Sequence, residues 1–128
     1  MFFRCTSLIT APKLPATTLS YGCYYCMFNG CTSLTTAPEL PATTLTDSCY
    51  YGMFGDCTSL TIAPELPANT IYQGNYSTSN SYYNMFYGCS NLHYIKCMAR
   101  NSDNETAISI SDWVAGVSST GTFVKAVN

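Results

Sequence analysis

Residues 27–45 read MFNGCTSLTTAPELPATTL, and nearly the same text stands at 1–19 as MFFRCTSLITAPKLPATTL and at 53–71 as MFGDCTSLTIAPELPANTI. A fourth copy opens at Met85 with MFYGCSNL, so that the starts Met1, Met27, Met53 and Met85 lie 26, 26 and 32 residues apart. A fixed period in this range marks stacked units, none of which buries its apolar face without a neighbour. Columns that stay fixed are those the stack needs. Columns that vary are where a partner is recognised.

Within the unit, Cys31, Leu34, Ala37 and Leu40 recur at steps of three, with counterparts Cys57, Leu60, Ala63 and Leu66. With Pro38 and Pro41 also fixed, this step fits neither a helix of period 3.6 nor a long alternating strand; it fits a short strand turning a corner. The reading places a strand over 33–37, paired in parallel with 7–11, 59–63 and 91–95, and ended by Pro12, Pro38 and Pro64, which cannot donate to a ladder. The stretch 41–54 returns along the opposite face and is expected to hold a turn of α- or 3₁₀-helix near SCYYGMF. The fold class is thus a repeat solenoid with units 1–26, 27–52, 53–84 and a truncated 85–97. Residues 98–128 read as a C-terminal cap. In it Ser111 or Asp112 N-caps a short helix through WVAGV, TGTFVK forms a closing strand, and Trp113 and Phe123 cover the last repeat.

The unit FNGCTSLTTAPELPATTL resembles the leucine-rich repeats of BspA-like, Treponema-type bacterial surface proteins, whose units carry F-x-x-C-x-x-L followed by an L-P corner. The resemblance covers residues 1–97, and the tail TAISISDWVAGVSSTGTFVKAVN is similar to the segment following such repeats in proteins of gut Bacteroides. APEL stands where the family often has a plain apolar strand end. The resemblance implies a leucine-rich-repeat scaffold displayed at the cell surface or secreted.

Charged residues are only 9% of the 128, so Thr, Ser, Asn and Tyr must cover the surface. The five basic residues Arg4, Lys13, Lys96, Arg100 and Lys125 are scattered, whereas nucleic-acid binding shows a clustered basic stripe. No run approaches the apolar length that crosses a bilayer, and no signal-peptide order is seen at the N-terminus. Met1 falls in a repeat column with no capping segment before it. The expectation is a piece of a longer chain, or a module whose open end meets a partner or self-associates.

Eight cysteines invite a disulfide framework, but their columns argue for another use. Cys5, Cys31, Cys57 and Cys89 share one column and are expected to form a buried thiol ladder, because parallel Cβ vectors do not favour a disulfide torsion. Cys23 and Cys49 share a second column with Ser81. Cys23-Tyr-Tyr-Cys26 superficially resembles a zinc or redox motif, yet Cys26 becomes Gly52 and Asn84 elsewhere and no second C-x-x-C completes a ligand set. No metal or cofactor is expected.

His93, the only histidine, shares a column with Ile9, Thr35 and Thr61. Glu39 and Glu65 share one with Lys13 and read as solvated edge charges. With no nucleophile beside a base, the chain reads as a non-enzyme.

Recognition is sought in the variable stretches, which are built from Tyr, Ser, Gly, Asn and Asp, the composition of evolved binding surfaces. One tyrosine of each pair 24/25, 50/51 and 82/83 is expected to pack on the return face. The candidates are therefore Tyr72, Asn75, Tyr76 and Asn80 around the extra residues of the third unit, and Thr35, Thr61 and His93 on the strand face. The expected function is a ligand-binding module for a protein or glycan, without nucleic acid or membrane insertion. The alternative is a structural or assembly segment of a larger adhesin or phage tail-type protein.

Overall fold

The computed structural model describes residues 1–69, 80–99 and 113–125. Successive units lie against one another column on column, joined through two parts of each unit: a ribbon of turns and a short extended piece.

The ribbon runs through 20–31 and its counterparts. The amides of Cys23, Tyr25, Met27, Asn29 and Cys31 each close a turn onto the carbonyl three residues back. The alternate amides, of Gly22, Tyr24, Cys26, Phe28 and Gly30, donate to Asp47, Cys49, Tyr51, Met53 and Gly55 of the next unit at 2.8–3.1 Å. Tyr50, Gly52, Phe54 and Asp56 repeat this onto Ser81, Tyr83, Met85 and Tyr87. Every amide in the run thus has a partner, as a buried backbone requires. The helical turn expected near SCYYGMF is instead this ribbon. The reason is a left-handed residue at every fourth position: Gly22, Cys26 and Gly30, then Ser48, Gly52 and Asp56, then Asn84 and Gly88. Each such residue breaks right-handed helical continuity and occupies the third place of every other turn, where a type II turn needs positive φ.

The extended piece is shorter than the sequence predicts. Thr10 bridges Thr36 and Ile62 bridges Tyr94, both in parallel and both as isolated pairs. Only the last pair of units forms strands among the described residues: β1, Tyr94–Cys97, lies parallel to β2, Thr122–Lys125, with Tyr94 opposite Thr122. Proline at 12, 38 and 64 stops pairing within two residues of each bridge, whereas unit four reads YIKC with no proline and continues. Between 33–37 and 59–63 no backbone hydrogen bond is formed; the Thr58 hydroxyl reaches the Thr32 carbonyl at 3.5 Å instead. The missing proline also shortens the corner by one residue. Leu66 therefore pairs with Cys97, and the buried Cys97 fills the leucine column.

Two aromatic ladders run through the core. Phe2, Phe28, Phe54 and Phe86 stack at centroid spacings of 5.6, 5.7 and 5.7 Å, and Tyr24, Tyr50 and Tyr82 at 5.9 and 6.0 Å. Trp113 closes both, 5.6 Å from Tyr82 and 6.1 Å from Phe86. Such contacts add to the burial of apolar area that stabilises each unit against the next.

The backbone pairing continues beyond the boundary drawn at 97/98. Phe86 and Gly88 donate to Trp113 and Ala115 at 2.9 Å, as Phe54 and Asp56 do to Met85 and Tyr87. Trp113 therefore occupies the methionine column, Gly116 takes the left-handed position with φ of 79°, and Thr122 falls opposite Tyr94. Residues 113–125 pair as a fifth, degenerate unit. The expected N-cap at Ser111 or Asp112 lies outside the described residues.

Candidate functional site

The extended pieces place Ile9, Thr35, Thr61 and His93 in one exposed column, continued by Gly121. The Thr35 hydroxyl donates to the Ile9 carbonyl at 3.3 Å, and the His93 amide donates to the Thr61 carbonyl at 3.0 Å. His93 Nδ1 lies 3.1 Å from the Asn91 carbonyl oxygen, which can only accept, so Nδ1 is the donor of this bond. Beside this column run Thr10, Thr36, Ile62, Tyr94 and Thr122, with Ile62 57% exposed.

The column leads to a cavity of about 270 Å³ between units four and five. His93, Ser118 and Thr122 line it with Leu92, Ile95, Val114, Val117 and Phe123. Val114, which lines it, stands in the column that Phe28, Phe54 and Phe86 fill, and the smaller side chain leaves room there. At Gly121 a Cβ would run into the His93 carbonyl, so glycine allows the two units to approach there. The result is an apolar floor with hydroxyl groups and one imidazole above it, the usual make-up of a small binding site.

Of the other sequence candidates, Asn80 is half-buried and its side-chain oxygen accepts the Tyr82 amide at 2.8 Å. This is an Asx turn that opens the turn ribbon, which gives Asn80 a structural use. Tyr72, Asn75 and Tyr76 lie outside the described residues.

A third aromatic row lies outside the sequence candidates. Tyr25 stacks on Tyr51 at 4.6 Å and Tyr51 on Tyr83 at 5.1 Å, while Tyr25 remains 48% exposed. In each pair the first tyrosine is the more buried of the two, as the two-residue alternation of the ribbon requires. Tyr21 and Tyr87 are also exposed. Burial and the neighbouring tyrosines raise the Tyr51 hydroxyl above its ordinary pKa, so it stays protonated and serves as both donor and acceptor.

Along the proline corners, Glu65 pairs with Lys96 at 2.8 Å on the surface. Clefts of about 380 and 320 Å³ separate successive corners and share Pro38, Glu39 and Pro41. Among the described residues no group of three or more His, Cys, Asp or Glu side chains converges, and no helix is long and apolar enough to cross a membrane. Neither a family model, nor a curated protein, nor a solved structure matches the chain.

Proposed function

We propose that the chain is a BspA-like leucine-rich-repeat solenoid that serves as a non-enzymatic ligand-binding module of a bacterial surface or secreted protein, taking a protein or glycan. The observation that carries this reading is the exposed column Thr35, Thr61 and His93, which leads into the cavity beside His93. A rigid row of hydroxyl groups ending in an imidazole over an apolar floor provides directional hydrogen bonds and one anchor pocket. Nothing in the row pairs a nucleophile with a base.

The test is a screen of glycans and surface proteins with the intact chain beside His93→Ala and Thr61→Ala, and beside a chain lacking residues 73–78. Capture lost in the first two variants, with melting unchanged, supports the strand face. Capture lost only in the deletion moves the site to the third-unit insertion with Tyr72 and Tyr76. Capture by none of the proteins counts against the module reading. It favours the structural alternative, a spacer or assembly segment of a larger protein.

A further inference from the structure

The cavity between units four and five has two unlike parts. Its floor is Leu92 and Ile95, both buried, with the half-buried Val114 and Val117 facing them across the junction. Its mouth is made by the exposed His93, Ser119, Thr122 and Phe123. The Ser118 hydroxyl is already spent, since it donates to the Thr120 carbonyl at 2.9 Å and accepts the Thr120 amide at 3.4 Å. The Ser119 and Thr122 hydroxyls and His93 Nε2 have no partner among the described residues.

The two parts together narrow the ligand. No Asp, Glu, Lys or Arg lines the cavity, so a charged group entering it would lose water and find no counter-charge. A plain hexose would press hydroxyl groups against four aliphatic side chains, where they lack partners. An aliphatic side chain of a protein would cover the floor but leave the hydroxyls and imidazole of the mouth unused. Both parts are matched by a small group with a methyl at its end and an amide behind it. The methyl covers the floor, and the amide N–H and C=O meet hydroxyls, which both donate and accept. The volume of about 270 Å³ lies just below that of drug-sized sites, which corresponds to one sugar residue rather than several.

We infer that the cavity beside His93 takes the acetamido group of a single N-acetylated amino sugar, with the rest of the glycan running back along the Thr61 and Thr35 column. The inference rests on the reading of this face as the binding surface, and it names the ligand class. Phe123, 42% exposed, stands at the mouth as an apolar ring against which the C–H groups of the sugar pack.

The experiment is an amide-shift NMR titration of the 128-residue chain with the methyl glycosides of N-acetylglucosamine, N-acetylgalactosamine, glucose and galactose. Two variants accompany it. Val114→Phe puts back the residue that Phe28, Phe54 and Phe86 hold in this column and fills the cavity. Thr122→Val removes only a hydroxyl at the mouth, and it decides the matter if circular dichroism melting shows that Val114→Phe does not fold. An acetamido sugar is expected to bind at least about tenfold more tightly than its parent hexose, the discrimination that a small apolar group in a fitted pocket supplies. It is expected to shift the amides of His93, Val117 and Thr122, to lose binding in Val114→Phe, and to weaken about threefold to tenfold in Thr122→Val. Equal binding of hexoses and acetamido sugars overturns the inference, as does acetamido binding that both folded variants leave unchanged. In either case binding lost in Thr61→Ala keeps the strand-face reading, so the two fail separately. Capture of a protein but of no sugar, abolished by Val114→Phe, also overturns the inference and gives the cavity to a side chain of that protein.

Discussion

The Cys57 thiol donates to the Phe28 carbonyl oxygen at 3.2 Å, reaching one unit back across the core. Cys31 does the same to Phe2 at 2.9 Å, and Cys89 to Phe54 at 3.0 Å. Each of these carbonyls also accepts the amide three residues on, so the thiol takes the second lone pair. A cysteine suits the column because it is small, apolar and still a weak donor. Removing the thiol leaves no carbonyl without a bond, so the cost is one of packing.

Cys57→Ala is therefore expected to lower the unfolding free energy by about 1–2 kcal/mol, less than a large-to-small leucine change. Cys5→Ala, at an exposed position of the same column, is expected to change it by less than about 0.5 kcal/mol. Urea denaturation of both variants measures the difference. Equal costs would show that the column does not form a buried ladder.

Burial pushes the Cys89 thiol from its ordinary 9.0 up to about 12, against the opposing effect of the Cys57 backbone amide. Desolvation moves Cys57, Tyr50 and Tyr82 in the same direction. The folded chain therefore holds protons that the unfolded chain releases above its ordinary pKa values. Stability from these groups is complete below about pH 9 and is lost as pH rises through the folded values. The urea midpoint is expected to fall steadily from pH 9 to 11, and Cys89→Val is expected to make that fall shallower. A midpoint that holds level over this range would contradict the buried, neutral thiols.

Cys26 and Gly52 stand in one left-handed column, with φ of 49° and 57°. A Cβ on Gly52 would lie 2.9 Å from Cys26 Sγ. Gly52→Ala is expected to cost about 1–2 kcal/mol from the backbone alone, with more from the sulfur contact. In a Cys26→Gly background the sulfur contribution disappears, and the left-handed strain at 26 is relieved as well. In a double-mutant cycle the double mutant should therefore cost less than the sum of the two single changes. An additive cycle would mean that the two units do not touch there.

The sequence carried the period, the apolar columns and the proline stops in plain view, because Met27, Phe28, Cys31, Leu34 and Pro38 recur letter for letter at 53–64. The turn ribbon was hidden by its chemistry. Its left-handed positions are glycine at 22, 30, 52 and 88, Asp56 and Asn84, but Cys26 and Ser48 also adopt them, and Arg4 does so in the first unit. Only glycine, asparagine or aspartate would have announced a positive φ from composition. The fifth unit was hidden for another reason. Of the MFNGC text, WVAGV keeps only the glycine at 116, and its assignment rests on backbone bonds that no side chain encodes. At the site, the exposure of the Thr35, Thr61 and His93 column could be read from the loss of apolar residues there. The cavity beside His93 could not, because it depends on Val114 falling in register with Phe86.

In-register stacking of all five units is tested most directly by residue-resolved amide hydrogen exchange on the dilute chain. The amides of Phe28, Gly30, Phe54, Asp56, Phe86 and Gly88 are expected to exchange slowly as one set, since each donates to the next unit. Rapid exchange at Phe86 and Gly88 with protection kept at Phe28 and Phe54 would contradict the fifth unit, and rapid exchange at all six would contradict the stack.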